Sequence, residues 1–97
     1  MIAVINERQT AYLVEVSGWD ENEDFFVEKT ELRWQEESGK HILLLRPITS
    51  GSLLYLRLIH PAGDERVRPM PFRAELFAES DEAGHRLVRL LPAIPGR

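Results

Sequence analysis

The chain contains no cysteine, so it can form neither a disulfide bond nor a thiolate metal site. This absence is consistent with a reducing compartment. The chain also lacks the run of about 20 apolar residues that a membrane helix needs. Its apolar start, residues 1–5, is too short for a signal peptide. We therefore expect a cytoplasmic protein with no membrane segment, folded as a single domain over residues 1–97.

An excess of positive charge is also missing, because the formal net charge is −4. Proteins that bind nucleic acid usually present a strongly basic face. The charge is unevenly placed, with 10 acidic and 3 basic residues in 1–38 but 9 basic and 6 acidic residues in 39–97. A folded barrel would interleave the two halves, so the sequence favours scattered charges. An arginine-rich patch for an anion stays an alternative.

The common signatures of catalysis and of cofactor binding are absent from the sequence. No glycine-rich loop could hold a phosphate, and no nucleophile elbow surrounds Ser50 or Ser52. His41, His60 and His85 are isolated from one another along the chain, so a zinc site would need them to converge in the fold. We therefore expect a protein that is not an enzyme and that carries neither a cofactor nor a metal.

Asp20, Asn22 and Asp24 alternate as oxygen ligands do at the start of a calcium loop, and Glu31 stands at the twelfth position. The sixth position, where such a loop needs glycine for its sharp turn, is Phe25. The flanking segments have the pattern of strands and not of helices. The sequence therefore favours an acidic hairpin loop over a calcium site.

The chain does contain short β-like segments separated by turn residues, which is typical of a small barrel or sandwich. Closure into a barrel also removes the exposed edges of a flat sheet. We therefore predict an all-β fold, a small six-stranded antiparallel barrel. The predicted strands cover residues 11–17, 25–34, 41–46, 53–60, 66–79 and 85–91.

Four details of these strands lead to separate predictions. Glu28 interrupts an apolar face and predicts a bend or bulge, while Trp34 at the end of that strand is expected in the core. Residues 42–45 are apolar on both faces, which predicts a strand covered on both sides or a subunit contact, and so a possible homodimer. Pro69 and Pro71 should lie at an edge or before the strand proper.

Several fragments, in order along the chain, resemble PilZ domains. V-E-V-S-G-W-D at 14–20 and F-V-E-K-T-E at 26–31 resemble the opening of the family, and P-I-T-S-G-S-L-L-Y-L at 47–56 resembles a central segment. R-A-E-L-F at 73–77 and G-H-R-L-V at 84–88 resemble the closing hairpin. The resemblance implies a six-stranded antiparallel barrel, which agrees with the strand count.

Members of this family bind cyclic di-GMP through an Arg-x-x-x-Arg arm and an Asp/Asn-x-Ser-x-x-Gly turn. This chain departs from both motifs. Arg8 is the only arginine near the N-terminus and has no arginine four residues away. If Gly39 is the motif glycine, Glu36 stands at the serine position and Trp34 at the Asp/Asn position. A carboxylate and an indole there would not receive an anion, so the usual binding of cyclic di-GMP is not expected.

Family members without these motifs are similar to adaptor modules. We therefore predict a non-enzymatic interaction or adaptor module in bacterial signalling, with a protein partner. The candidate contact residues are Trp19 in a turn and Arg66 and Arg68 beside a strand. The first alternative is a divergent receptor for cyclic di-GMP or another anion. The second is a small-barrel nucleic-acid-binding module.

Overall fold

The chain is a closed six-stranded antiparallel β-barrel in a computed structural model that describes residues 9–36, 39–59, 68–79 and 84–93. The described residues contain no helix of the length and apolarity needed to cross a bilayer. The strands are β1 (Gln9–Trp19), β2 (Phe25–Gln35), β3 (Gly39–Leu44), β4 (Leu53–Leu58), β5 (Met70–Glu79) and β6 (Arg86–Pro92).

The strand order around the barrel is β1-β2-β3-β6-β5-β4, and the pairing of β1 with β4 closes it. Sequence neighbours β1, β2 and β3 form one meander, and β4, β5 and β6 form a second. The connection from β3 to β4 carries the buried Ile48. This topology confirms the predicted fold class.

One hydrophobic core fills the barrel, and its strand residues come from alternate positions because the pleat sends successive side chains to opposite faces. Complete burial of a valine, leucine or isoleucine side chain stabilises the fold by about 1.5–3 kcal/mol. The buried core side chains are Val14, Val16, Phe26, Leu32, Ile42, Leu44, Ile48, Leu54, Leu56, Ala74, Val88 and Leu90.

Of the bend or bulge predicted at Glu28, the bulge is wrong in the β1–β2 ladder. The β1–β2 register runs without a shift from the pair Trp19–Phe25 to the pair Gln9–Gln35. Glu28 is tolerated among apolar residues because its carboxylate accepts the backbone N–H groups of Leu45 (2.8 Å) and Arg46 (3.2 Å). The register shift lies instead in β5, between Leu76 and Ala78.

Trp34 is not a core residue, since 47% of it is exposed. It shares the inward parity of Leu32 but lies nearer the end of β2, where it pairs with Lys40 on β3. Of the two prolines, Pro69 precedes β5, whereas Pro71 lies inside it and pairs with Tyr55.

The apolar run at 42–45 is divided between two environments. Ile42 and Leu44 are buried in the core, Leu43 is half-buried and Leu45 is exposed. The predicted strand covered on both sides is therefore wrong within the single chain, because the outer face is only partly covered. The alternative, a subunit contact, stays a prediction. The predicted segments at 60 and 66–67 lie outside the described residues.

Candidate interaction surface

An exposed aromatic pair marks the end of the β1–β2 hairpin. Trp19 and Phe25 are direct cross-strand partners, at the last position of β1 and the first of β2. Their rings meet edge to face, with centroids 5.1 Å apart. Trp19 is nevertheless 54% exposed and Phe25 57% exposed. The pair supports its own geometry while leaving a large apolar area in solvent.

Two further apolar side chains lie on the outside of the barrel near this pair. Val27 follows Phe25 at the next outward position of β2, pairs with Ser17 and is 53% exposed. Leu45 is also exposed, and its N–H is held by the carboxylate of Glu28, the residue after Val27. We call these four exposed apolar side chains at and near the hairpin end the Trp19 surface: Trp19, Phe25, Val27 and Leu45.

Asp20 holds the loop beneath the aromatic pair. Its side chain is buried, and Oδ1 accepts the backbone N–H groups of Asn22 and Asp24, each at 2.9 Å. Oδ2 accepts Nη1 of Arg46, also at 2.9 Å. The N–H of Asp24, that of Asn22 and the Arg46 guanidinium hold the pKa of Asp20 below its ordinary value, against the opposing effect of burial.

Backbone hydrogen bonds complete the same loop. Asp20 and Asp24 are joined by an N–H to carbonyl bond of 2.9 Å, and Glu23 donates to the carbonyl of Asp20 at 2.8 Å. Glu23 adopts the left-handed region at φ 67°, which few non-glycine residues occupy. Glu21 donates to the carbonyl of Pro47 at 2.9 Å, so the hairpin is tied to the β3–β4 connection.

The outer surface of the loop is acidic. Glu21, Glu23 and Asp24 are all exposed around the aromatic pair. The arrangement is an ordered apolar knob with a rim of negative charge. It contains the features of a protein contact site, since aromatic side chains dominate hot spots and charges at a rim steer association.

The structure does not bring the predicted contact residues together. Gly18, next to Trp19, pairs with Leu54 near the start of β4. Arg68 is exposed and precedes Met70, which pairs with Leu56, so Arg68 lies toward the other end of β4. Arg66 lies outside the described residues.

The altered motif positions lie on the β2–β3 hairpin. Gly39 has φ 78° and begins β3, and Glu36 is exposed at the turn. The ammonium group of Lys40 lies 4.6 Å from the ring centroid of Trp34 and 5.8 Å from that of Phe72. Trp34 therefore already has a cationic partner within the chain. Arg8, the remaining altered position, lies outside the described residues.

Comparisons of the chain with family models, with curated proteins and with solved structures find no match. The resemblance to PilZ domains therefore stays a prediction. The barrel itself is shown, but six-stranded barrels can carry unrelated functions.

Sequence reasoning identified Trp19 but missed its companions. Phe25 and Val27 have the outward parity of β2, opposite to the buried Phe26, and that alternation could have revealed them. The calcium-like spacing has a different explanation, because both carboxylate oxygens of Asp20 receive donors from the protein itself. Among the described residues no cluster of three or more potential metal ligands exists.

Proposed function

We propose that this protein is a non-enzymatic interaction module, an adaptor of bacterial signalling in the cytoplasm, and that the Trp19 surface is its contact site. The partner is a protein with an apolar pocket bordered by arginine or lysine side chains. The observation that carries the proposal is the pair Trp19–Phe25, more than half exposed at the strand ends that flank a loop of fixed conformation.

Exposure of the aromatic pair supports a hot spot. A buried aromatic anchor at the centre of an interface contributes about 2 kcal/mol or more to binding. In this chain Trp19 and Phe25 support each other at 5.1 Å and need not become ordered when the partner arrives. Preorganisation of this kind lowers the entropic cost of association.

The acidic rim supports the stated chemistry of the partner. Glu21, Glu23 and Asp24 are exposed, whereas the nearby guanidinium of Arg46 is neutralised by Asp20 at 2.9 Å. The surface around the aromatic pair is therefore negative. A basic border on the partner would accelerate encounter, and this effect would decrease with added salt.

The test compares two tryptophans of the same chain. Trp19→Ala should no longer bind the partner protein that the wild-type domain retains from a cell lysate, because the anchor is removed. Trp34→Ala, at the far end of β2, is the matched control and should still bind it. Proteins retained by the wild-type domain are identified, produced in pure form and titrated against both variants. Loss of binding with Trp34→Ala but not with Trp19→Ala would contradict the proposal.

The receptor alternative has its own measurement. Calorimetric titration with cyclic di-GMP should release no heat at micromolar protein. Trp34 and Glu36 stand where PilZ domains, which the chain resembles, have their polar ligands. Stoichiometric uptake would instead favour a divergent receptor.

The nucleic-acid alternative predicts that the protein shifts the electrophoretic mobility of single-stranded DNA, and that this binding weakens steeply with added salt.

A further inference from the structure

A cleft opens on the outer face of the barrel where β2 and β3 separate. Their ladder runs from Gln35–Gly39 to Arg33–His41 and then stops. Beyond that point side chains span the gap: the Thr30 hydroxyl donates to the carbonyl of Leu43 at 2.9 Å, and Glu28 accepts the N–H of Leu45. The two strands are thus held apart by side-chain hydrogen bonds where direct ladder bonds would draw them together.

The cleft is large enough for a small molecule. Its volume is about 330 Å³, at the lower end of the range for ligand pockets. Leu13, Leu43 and Leu87, from β1, β3 and β6, are among its lining residues. Leu13 is half exposed and the other two are half-buried, so the apolar wall is accessible from solvent.

Two nitrogen donors, Arg33 and His41, stand at one side of this apolar wall. His85 also lines the cleft, on the other side of the Leu43–Leu87 pair. Register places Arg33, His41 and Arg89 side by side on β2, β3 and β6. Direct neighbours in such a row lie about 5 Å apart. Arg89 is paired with Glu75 at 3.8 Å and is not among the lining residues, so Arg33 and His41 are the members of the row that can donate to an anion in the cleft.

Glu31, the acidic side chain in the cleft, leaves Arg33 able to bind a ligand carboxylate. Glu31 accepts one N–H from Nη2 of Arg33 at 3.2 Å, and both side chains are about half exposed. An exposed ion pair of this kind contributes at most about 1 kcal/mol. A guanidinium has five N–H donors in a planar fork, so it can hold a second carboxylate.

We propose that this cleft binds a small organic acid. The carboxylate would be held by Arg33 and His41, and an apolar body would lie against Leu43 and Leu87. The aromatic pair Trp19–Phe25 lies at the opposite end of β2 from Arg33, and no residue of the Trp19 surface lines the cleft. The inference therefore goes beyond the proposed adaptor function and does not depend on it.

The probe is 4-phenylbutyrate, compared with its neutral amide in a ¹⁵N chemical-shift titration of the full chain. The acid should bind about tenfold more tightly than the amide, as expected for charge-assisted hydrogen bonds. Amide signals of Leu43 and Leu87 should shift, while those of Trp19 and Phe25 should stay in place.

Three variants with altered charge on the outer face of β2 sharpen the test. Arg33→Gln should weaken binding of the acid about tenfold, and Glu31→Gln should strengthen it by removing a competing carboxylate. Lys29→Gln, on the same exposed face but outside the cleft, is the matched control and should change little. Leu13→Trp, at a half-exposed position, should fill the cleft and reduce binding of both compounds.

Three results would overturn the proposal. The first is absence of any shift at Leu43 and Leu87 with either compound. The second is equal affinity for acid and amide, which would remove the role of the nitrogen donors. The third is equal weakening by Arg33→Gln and Lys29→Gln, which would reduce the effect to the overall charge of the domain.

Discussion

At the residue scale, Asp20 shows how one side chain can determine a surface that it does not itself form. Its oxygens receive two backbone N–H groups and one guanidinium, all at 2.9 Å. An aspartate in a turn commonly accepts the backbone N–H of the residue two positions further on, as Asp20 does from Asn22. The sequence showed only an acidic loop, because the guanidinium comes from Arg46, 26 residues further along the chain.

Asp20→Asn should destabilise the fold near neutral pH. The amide removes the negative charge. Its NH2 group would face the Arg46 guanidinium, so two hydrogen-bond donors would point at each other where a donor and an acceptor now meet. Thermal unfolding of the variant is compared with that of Asp24→Asn, which removes the same charge from an exposed position of the same loop. A larger loss for Asp24→Asn would contradict the anchoring role.

The same carboxylate predicts a dependence on pH. The pKa of Asp20 in the fold lies below the ordinary value of 3.8, so the unfolded chain binds this proton more readily. The stabilisation is complete above 3.8 and is lost as the pH falls through the lower, folded value. The stability difference between wild type and Asp20→Asn should therefore shrink in acid. A difference that grows on acidification would contradict this assignment.

At the scale of strands, alternation predicted which residues face inward, and it failed where an end of the barrel or a hydrogen-bonded carboxylate intervenes. Residues 11–17 and 25–34 lie within β1 and β2 as predicted. Trp34 and Glu28 have the inward parity but different environments. Neither the β1–β4 closure nor the register shift in β5 could be predicted, because parity assigns a face and not a neighbour.

Gly18 lies at the β1–β4 closure and leads to a prediction for these strands. A Cβ at this position would lie 2.9 Å from Cδ2 of the buried Leu54 and 3.1 Å from the carbonyl oxygen of Leu53. Gly18→Ala should therefore cost about 1–3 kcal/mol, as overpacking does. Ser17→Ala, the preceding residue on the opposite face, is the control in denaturant unfolding. Equal stability of the two variants would show that the strands close more loosely than described.

At the scale of the whole molecule, the fold interleaves the two oppositely charged parts of the sequence. Acidic residues from the first part meet arginines from the second: Glu15 with Arg57 at 3.0 Å, and Asp20 with Arg46 at 2.9 Å. The predicted mixing of charge is thus found in the described residues. The acidic rim of the hairpin, formed by Glu21, Glu23 and Asp24, stays exposed and borders the proposed contact site.

Self-association is the second question at this scale. Leu45 is exposed and belongs to the Trp19 surface, so the possible homodimer predicted from 42–45 would use part of that surface. Light scattering of the wild type and of Leu45→Glu distinguishes the cases. If the wild type is a dimer and Leu45→Glu is a monomer, the surface binds a second copy of the chain. We expect instead that the wild type is a monomer whose surface binds a different protein.

The most direct measurement is the ratio of the partner's dissociation constants for Trp19→Ala and Trp34→Ala. Loss of a central aromatic anchor corresponds to a ratio of about 30 or more. Both variants must keep the wild-type unfolding temperature within a few degrees for the ratio to be read as a contact effect. We predict that Trp19→Ala is the weaker binder by at least that factor. Equal affinities, or a weaker Trp34→Ala, would contradict the account.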